Sequence, residues 1–174
     1  GARRRGWTEE GCELKYYVIR NRRTPDAHTE IHSLDPDSGA DRIVRDLEGG
    51  NYIYFYRTGS GYYSLQNGRA WTWLPLWLAT DDGSVMALLD TRDGELIELS
   101  SSPCGYWGFS RDGGRFFYGH CSGSLREGDQ VTALRVLDLE SRTDEPFATI
   151  QGYLSSGNGR ELLPSPKGDR VVLY

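Results

Sequence analysis

The sequence predicts an all-β fold made of repeated antiparallel sheets, and three observations support this. The 174 residues include 22 glycines, and 12% of the residues are aromatic, a combination typical of many tight turns between pleated strands. A turn phrase that ends in glycine and precedes an apolar strand recurs along the chain. A second phrase, in which Leu-Asp opens a polar turn, also recurs at a regular interval.

The first phrase predicts β-hairpins. Its clearest copies contain Asp112-Gly113, Asp82-Gly83 and Lys167-Gly168, and Trp7 to Gly11 is a weaker copy. In each copy a strand of apolar residues follows the turn. Glycine after a polar residue supplies the positive φ that a tight turn requires, so each copy is expected to join two antiparallel strands.

The second phrase sets the period of the fold. Its copies begin at Leu34-Asp35, Leu89-Asp90 and Leu137-Asp138, and each is followed by apolar residues at a strand spacing. The three aspartates lie about 50 residues apart, an interval that suits the four-stranded blade of a β-propeller.

The two phrases divide the chain into about three and a half blades. The predicted blades cover residues 7–48, 50–100 and 104–150, and a half blade covers residues 159–174. The third blade is the clearest, with strands expected at 104–110, 115–121, 131–138 and 145–150. The second blade is ambiguous, because candidate strands at 52–57, 62–66, 69–73, 85–89 and 95–99 exceed by one what a blade holds.

The two phrases resemble the repeats of TolB-type, WD-like β-propellers. The residues that carry the resemblance are Ser165-Pro166-Lys167-Gly168, Ser110-Arg111-Asp112-Gly113 and Leu137-Asp138-Leu139-Glu140. No blade carries the Gly-His and Trp-Asp signature of true WD repeats. The resemblance implies a propeller fold over most of the chain and implies no activity, since a fold does not determine a function.

This number of blades does not close a ring, because each blade packs against two neighbours. Three arrangements stay open. The chain is part of a larger propeller of about six to eight blades, or half of a ring completed by a second copy, or an unusual four-bladed ring.

Two of the three cysteines are predicted to face each other across one hairpin. If the turn lies at 111–114, Cys104 pairs with Cys121 just as Phe109 pairs with Phe116. Opposed Cβ atoms lie about 4.5–5.5 Å apart, slightly beyond the roughly 3.5–4.5 Å of a disulfide. Both a disulfide and two buried thiols therefore stay open, and Cys12 would remain single. A disulfide would favour a periplasmic or extracellular protein.

Four aromatic residues are the candidate ligand-binding residues: Trp73, Trp77, Tyr106 and Trp107. Blade interiors accommodate many aromatic side chains, so core packing is one interpretation. The other is an exposed aromatic platform for a peptide or a sugar.

Other motifs with possible chemistry favour structural roles. His28, Glu30 and His32 alternate on a predicted strand, which puts them on one face as possible metal ligands, but solvated surface positions suit that spacing better. Gly119-His120-Cys121-Ser122-Gly123 matches a nucleophile elbow in letters, yet no helix is predicted after it. We therefore expect no catalytic residue, no metal and no cofactor.

The sequence favours a non-enzymatic module that binds or scaffolds a protein or peptide through propeller loops. One alternative is the gating propeller of a prolyl-oligopeptidase-like serine peptidase whose catalytic domain lies outside this chain. Another is a carbohydrate-binding propeller. The net charge of −5 argues against a nucleic acid partner, and no apolar run approaches the roughly 20 residues of a membrane-spanning helix.

Overall fold

The regular structure in the described part of this chain is antiparallel β-strand. The computed structural model describes residues 6–7, 14–21, 24, 26–48, 72–80, 83–110, 112–123, 127–151 and 162–173. Within these ranges no helix is long and apolar enough to cross a membrane. The all-β prediction is confirmed for this part of the chain.

The strands group into three sheets and a hairpin. Sheet 1 contains β1 (Gly6–Trp7), β2 (Leu14–Arg20), β3 (His28–Leu34) and β4 (Asp41–Glu48), paired in that order. Sheet 2 contains β5 (Trp73–Thr80), β6 (Gly83–Asp90) and β7 (Leu96–Ser100), again in order. Sheet 3 contains β8 (Pro103–Phe109), β9 (Arg115–Ser122), β10 (Val131–Asp138) and β11 (Asp144–Gln151), and the hairpin contains β12 (Leu162–Pro164) and β13 (Val171–Leu173). Sheets 1 and 2 belong to one compact unit, and sheet 3 and the hairpin to a second, with the division before Ser100.

The strands of sheet 3 lie within a residue of their predicted positions. In sheet 2 the sequence prediction needs correction. The predicted strands at 52–57 and 62–66 lie outside the described residues, whereas β5 forms from an apolar run that Pro75 interrupts. β5 lies at the edge of sheet 2 as described, where a proline without an N–H group is tolerated.

The recurring Leu-Asp phrase forms the same turn in all three sheets. The N–H groups of Asp35, Asp90 and Asp138 donate to carbonyl groups across the turn, those of Ala40, Glu95 and Thr143, at 2.8–2.9 Å. Each carboxylate also accepts the backbone N–H two positions later, from Asp37, Arg92 and Glu140 respectively. This local hydrogen bonding explains why the phrase needs aspartate.

Sheets 1 and 3 share a further detail. The register of β3 and β4 shifts between Ile31 and His32, and that of β10 and β11 shifts between Leu134 and Arg135. The unpaired extra residues are Val44 and Phe147, and both pack against the apolar cores of their units. Because the bulge recurs at the same distance from the Leu-Asp turn, the two sheets are repeats of one blade.

In the first unit, sheet 1 packs face to face on sheet 2. Ile31 and Leu47 of sheet 1, with Val44 beside them, form one buried cluster with residues of sheet 2: Leu74, Leu76, Leu78, Ala87 and Leu89. The sheets approach closely, because a Cβ atom built on Gly94 would lie 2.3 Å from the carbonyl oxygen of Val44.

In the second unit, the β12–β13 hairpin packs on sheet 3. Leu162 and Val171 contact the cluster that contains Cys104, Phe117 and Leu134. A Cβ atom at Gly108 would lie 2.1 Å from the carbonyl oxygen of Leu162, so the backbones of β8 and β12 are in direct contact.

Candidate functional site

One face of sheet 1 carries a cluster of titratable side chains. His32 is buried, and its ring nitrogen atoms lie 3.0 Å from Oε2 of Glu30 and 3.2 Å from Oδ1 of Asp41. Its ring stacks on that of Tyr16 at 4.8 Å, and the Tyr16 hydroxyl donates a hydrogen bond to Asp41. His28, Glu30 and His32 share this face, as their alternation predicts.

Glu30 is the centre of this cluster. The hydrogen bond from His32, followed by that from Arg20, lowers the pKa of Glu30 below its ordinary value. The hydrogen bond of the His28 ring with the carbonyl of Asp26 is the main cause that raises the pKa of His28, and the charges of Asp46 and Glu30 add to it. The side chains are thus paired with one another. In the described ranges, no group of three or more His, Cys, Asp or Glu residues could hold a metal ion.

Sheet 3 carries an equivalent arrangement. The hydroxyl of Tyr118 donates to Oδ2 of Asp144 at 2.9 Å, and Nε of Arg135 donates to the same oxygen at 2.9 Å. Burial, assisted by the hydrogen bond to Asp144, raises the pKa of Tyr118 from 10.0 to about 12. Tyr118 is paired with Arg135 across the strands as Tyr16 is paired with His32, and both aspartates follow the Leu-Asp turn at the same distance. We call this unit the tyrosine–aspartate bridge.

Sheet 2 has apolar residues at the same three positions. Counting from Asp90, the positions of His32 and Asp41 are taken by Ala87 and Leu96, and Leu76 is paired with Ala87. All three belong to the core shared with sheet 1. The bridge residues therefore occupy positions that, in sheet 2, belong to the face packed on another sheet. Sequence reasoning missed the bridge because the residue types at these positions differ between the sheets.

The four predicted binding residues are divided between the two units. Trp73 and Trp77 are on β5, and Tyr106 and Trp107 are on β8. Trp73 is 4% exposed, and the guanidinium of Arg92 lies 5.8 Å from its ring centroid. Trp77 and Trp107 are partly exposed, and the side chain of Tyr106 lies outside the described residues.

Trp107 is part of an aromatic cluster on the β8–β9 hairpin. Its ring stacks on the fully buried Phe116 at 6.0 Å and meets the edge of Phe109 at 6.2 Å. Phe109 contacts Phe116 at 4.8 Å, and Phe116 stacks on Tyr118 at 6.3 Å. Partly exposed rings are thus held in place by fully buried rings beneath them, a rigid arrangement that suits recognition.

Cys104 and Cys121 are joined by a disulfide with a Cα–Cα distance of 5.3 Å. The predicted direct opposition needs correction, because the register shifts between Pro103 and Trp107, and His120 is paired with Pro103. A bulge in β8 lies between the turn and the bond, so a register counted from the turn does not extend to Cys104. The bonded Cys121 cannot act as a nucleophile in the elbow-like motif around it.

Ser100 and His120 form a partly buried polar contact next to Cys121 in the chain. Oγ of Ser100 lies 2.8 Å from Nδ1 of His120 and accepts the backbone N–H of Ser102 at 3.2 Å. Sequence reasoning did not find this pair, since only the fold brings these residues together.

Comparisons with known proteins define the fold. No protein-family model and no curated protein matches the chain. Among solved structures, an oligogalacturonate lyase in complex with manganese is 11% identical, with a TM-score of 0.53 over 90% of this chain and 42% of that chain. TolB from Acinetobacter baumannii is 12% identical, with a TM-score of 0.48 over 97% of this chain and 36% of that chain. The acylaminoacyl peptidase of Pyrococcus horikoshii is 12% identical, with a TM-score of 0.48 over 94% of this chain and 28% of that chain.

The repeated sheets and the likeness to the lyase define the class of protein. The chain is a set of antiparallel β-propeller blades. It is similar to TolB-type propeller proteins, and it spans less than half the length of each of these three structures.

Proposed function

We propose that this chain is a non-enzymatic part of a β-propeller that binds a protein or peptide. The observation that carries the proposal is the partly exposed Trp107 stacked on the fully buried Phe116. Tryptophan on a rigid support is the side chain most enriched at the energetic centre of protein interfaces, because it buries a large area and loses little conformational freedom. Phe109 beside it extends the same surface.

The proposal also concerns the compartment. The disulfide between Cys104 and Cys121 favours an oxidising environment, because cytosolic reductants keep most thiols reduced. We therefore propose a periplasmic or extracellular location. The gating propeller of a serine peptidase and a carbohydrate-binding propeller remain alternatives, and aromatic stacking suits a sugar ring as well as a peptide.

The test is selection of ligands on the immobilised chain. We expect a random-peptide display library to yield binding peptides, and Trp107→Ala to weaken the best of them by at least about tenfold, as the loss of one hot spot does. Trp107→Phe should retain part of the affinity. Thr149→Ala is the matched control, because it removes an exposed side chain from the same unit.

Two results would contradict the proposal. One is a library that yields no peptide whose binding depends on Trp107 while the variant keeps its urea unfolding midpoint. The other is a glycan array on which the chain binds sugars in a Trp107-dependent manner, which would favour the carbohydrate-binding alternative.

A further inference from the structure

Sheet 3 keeps two aromatic rings partly exposed although both of its faces are buried. Phe116 and Tyr118 on one face of β9 and Phe117 on the other are fully buried. Trp107 and Phe109 on the neighbouring strand β8 retain exposed surface. Described strands precede and follow sheet 3 in the chain, so the exposure of these two rings does not arise at either end of the sequence.

The two exposed rings meet at nearly a right angle. The planes of Trp107 and Phe109 are 82° apart, and their centroids are 6.2 Å apart. The buried ring of Phe116 contacts both, at centroid distances of 6.0 Å and 4.8 Å. We call the surface formed by Trp107 and Phe109 the aromatic corner. Because Phe116 holds both rings in place, the corner is formed before a ligand binds, which lowers the entropy lost on binding.

His120 supplies a hydrogen-bond donor on the same face. Trp107 is paired with Tyr118, and His120 lies two positions further along β9, so its side chain is on the face of the aromatic corner. Oγ of Ser100 accepts the N–H of Ser102, which leaves its own hydrogen to donate to Nδ1 of His120. The ring hydrogen of neutral His120 is then on Nε2. Among the described residues Nε2 has no hydrogen-bond partner, and His120 is partly exposed.

The corner and the donor together indicate the chemistry of the ligand. The side chains that border Trp107 by register offer aromatic surface and one N–H group, because the buried hydroxyl of Tyr118 already donates to Asp144. A fitting ligand supplies apolar rings and hydrogen-bond acceptors, and it brings no donors that would stay unpaired. Proline meets these requirements, since its ring is apolar and its backbone has a carbonyl group but no N–H. A sugar, in contrast, brings several hydroxyl donors.

We propose that the aromatic corner binds a proline-rich segment of a partner protein in the polyproline II conformation. A proline ring packs against Trp107 and Phe109, and Nε2 of His120 donates to a backbone carbonyl group of the segment. Aromatic surfaces suit such segments because the polyproline II helix is already formed before binding and loses little entropy. This inference rests on the proposed function, since it names the ligand of the same site.

The test is a titration of the full chain with decaproline, followed by the NMR signal of the Trp107 indole N–H group. We expect a dissociation constant on the order of 100 μM, because decaproline has no flanking side chains that would add contacts. A decapeptide of alternating glycine and serine is the control ligand. It has no rings and no preformed helix, so it should not shift the signal.

Variants separate the two parts of the site, with binding measured by calorimetry. Trp107→Ala should weaken the binding of decaproline by at least about tenfold, and Trp107→Phe should weaken it less. His120→Leu removes the donor and should weaken binding by about two- to tenfold. His120→Gln should restore part of the loss, because the amide group of glutamine can donate in place of Nε2. Thr149→Ala on the exposed surface of β11 should bind as the wild type does.

The outcomes distinguish this inference from the proposed function. Decaproline that does not bind, or that binds Trp107→Ala as tightly as the wild type, would overturn the inference. Equal affinities of His120→Leu and His120→Gln would overturn the role of His120 as a donor. If selected peptides without proline bind through Trp107 while decaproline does not, the inference fails and the proposed function stands. Unchanged urea unfolding midpoints show that each variant is folded.

Discussion

The hydroxyl of Tyr118 on β9 donates a hydrogen bond of 2.9 Å to the carboxylate of Asp144 on β11, spanning the strand between them. Tyr16 and Asp41 make the same contact in sheet 1. Sheets 1 and 3 therefore share a specific side-chain contact as well as the same backbone turn. In sheet 2, where the same positions lie in the core, apolar residues replace it.

Removing the carboxylate of the bridge in sheet 3 should cost stability. Asp144→Ala leaves the hydroxyl of the fully buried Tyr118 without this acceptor, which we expect to lower the free energy of unfolding by about 1–3 kcal/mol. Urea denaturation measures the change. The matched control is Asp144→Ala in a Tyr118→Phe background, which should cost less because no buried hydroxyl group is left without its acceptor. Equal losses in the two backgrounds would contradict this account of the bridge.

Tyr118 should make the protein sensitive to alkali. Its pKa is raised from 10.0 to about 12 in the folded state, so above pH 10 the unfolded chain loses the proton while the folded chain still holds it. The contribution of Tyr118 to the free energy of unfolding is fully present below pH 10 and is lost as the pH rises towards 12. Tyr118→Phe should therefore show a shallower fall of unfolding free energy over this interval. Identical pH profiles for the two proteins would show that Tyr118 has no such role.

The close approach of sheets 1 and 2 at Gly94 should not tolerate a side chain. Gly94 and Gly39 occupy equivalent turns, with φ of 79° and 71°, so alanine at either position carries a backbone cost of about 1–2 kcal/mol. A Cβ atom at Gly94 would also lie 2.3 Å from the Val44 carbonyl, whereas Gly39 has nothing within 4 Å. Gly94→Ala should destabilise the chain clearly more than Gly39→Ala. Thermal unfolding that shows the two variants to be equal would mean that the sheets do not pack as described.

The disulfide should stabilise the second unit. Cys104 and Cys121 are separated by 17 residues in sequence. A disulfide that closes a loop of roughly this length raises the free energy of unfolding by about 3 kcal/mol. The double variant Cys104→Ser/Cys121→Ser should lose stability of this order, and adding a reductant to the wild type should have a similar effect. A thiol count under denaturing, non-reducing conditions should find one group per chain, and a count of three would show that the bond is absent.

The sequence predicted the hairpins well because their signals are local. Asp112-Gly113 and Lys167-Gly168 fix turns by backbone conformation and short-range hydrogen bonds, which do not depend on the rest of the fold. The strand β5 was implied only by the predicted hairpin at Asp82-Gly83, and the candidate strand at 69–73 overlaps β5 at Trp73 alone. The bulge in β8 shifted the register around Cys104, and its local signal, Gly105 inside the strand, was not used.

The candidate site was only partly predictable. Trp107 was selected from residue type, and pairing Phe109 with Phe116 already implied its aromatic neighbours. The tyrosine–aspartate bridges depend on the pairing of three strands, so their members come together only once the strand register is known. Which face of a blade is covered is a property of sheet packing and could not be read from the strands alone.

The central claim is that the three sheets are repeats of one blade that share the same Leu-Asp turn. Residue-by-residue amide hydrogen exchange tests it most directly. The account predicts that the amides of Asp35, Asp90 and Asp138 all exchange slowly, because each donates to a carbonyl group across its turn. Fast exchange at any one of the three would contradict it.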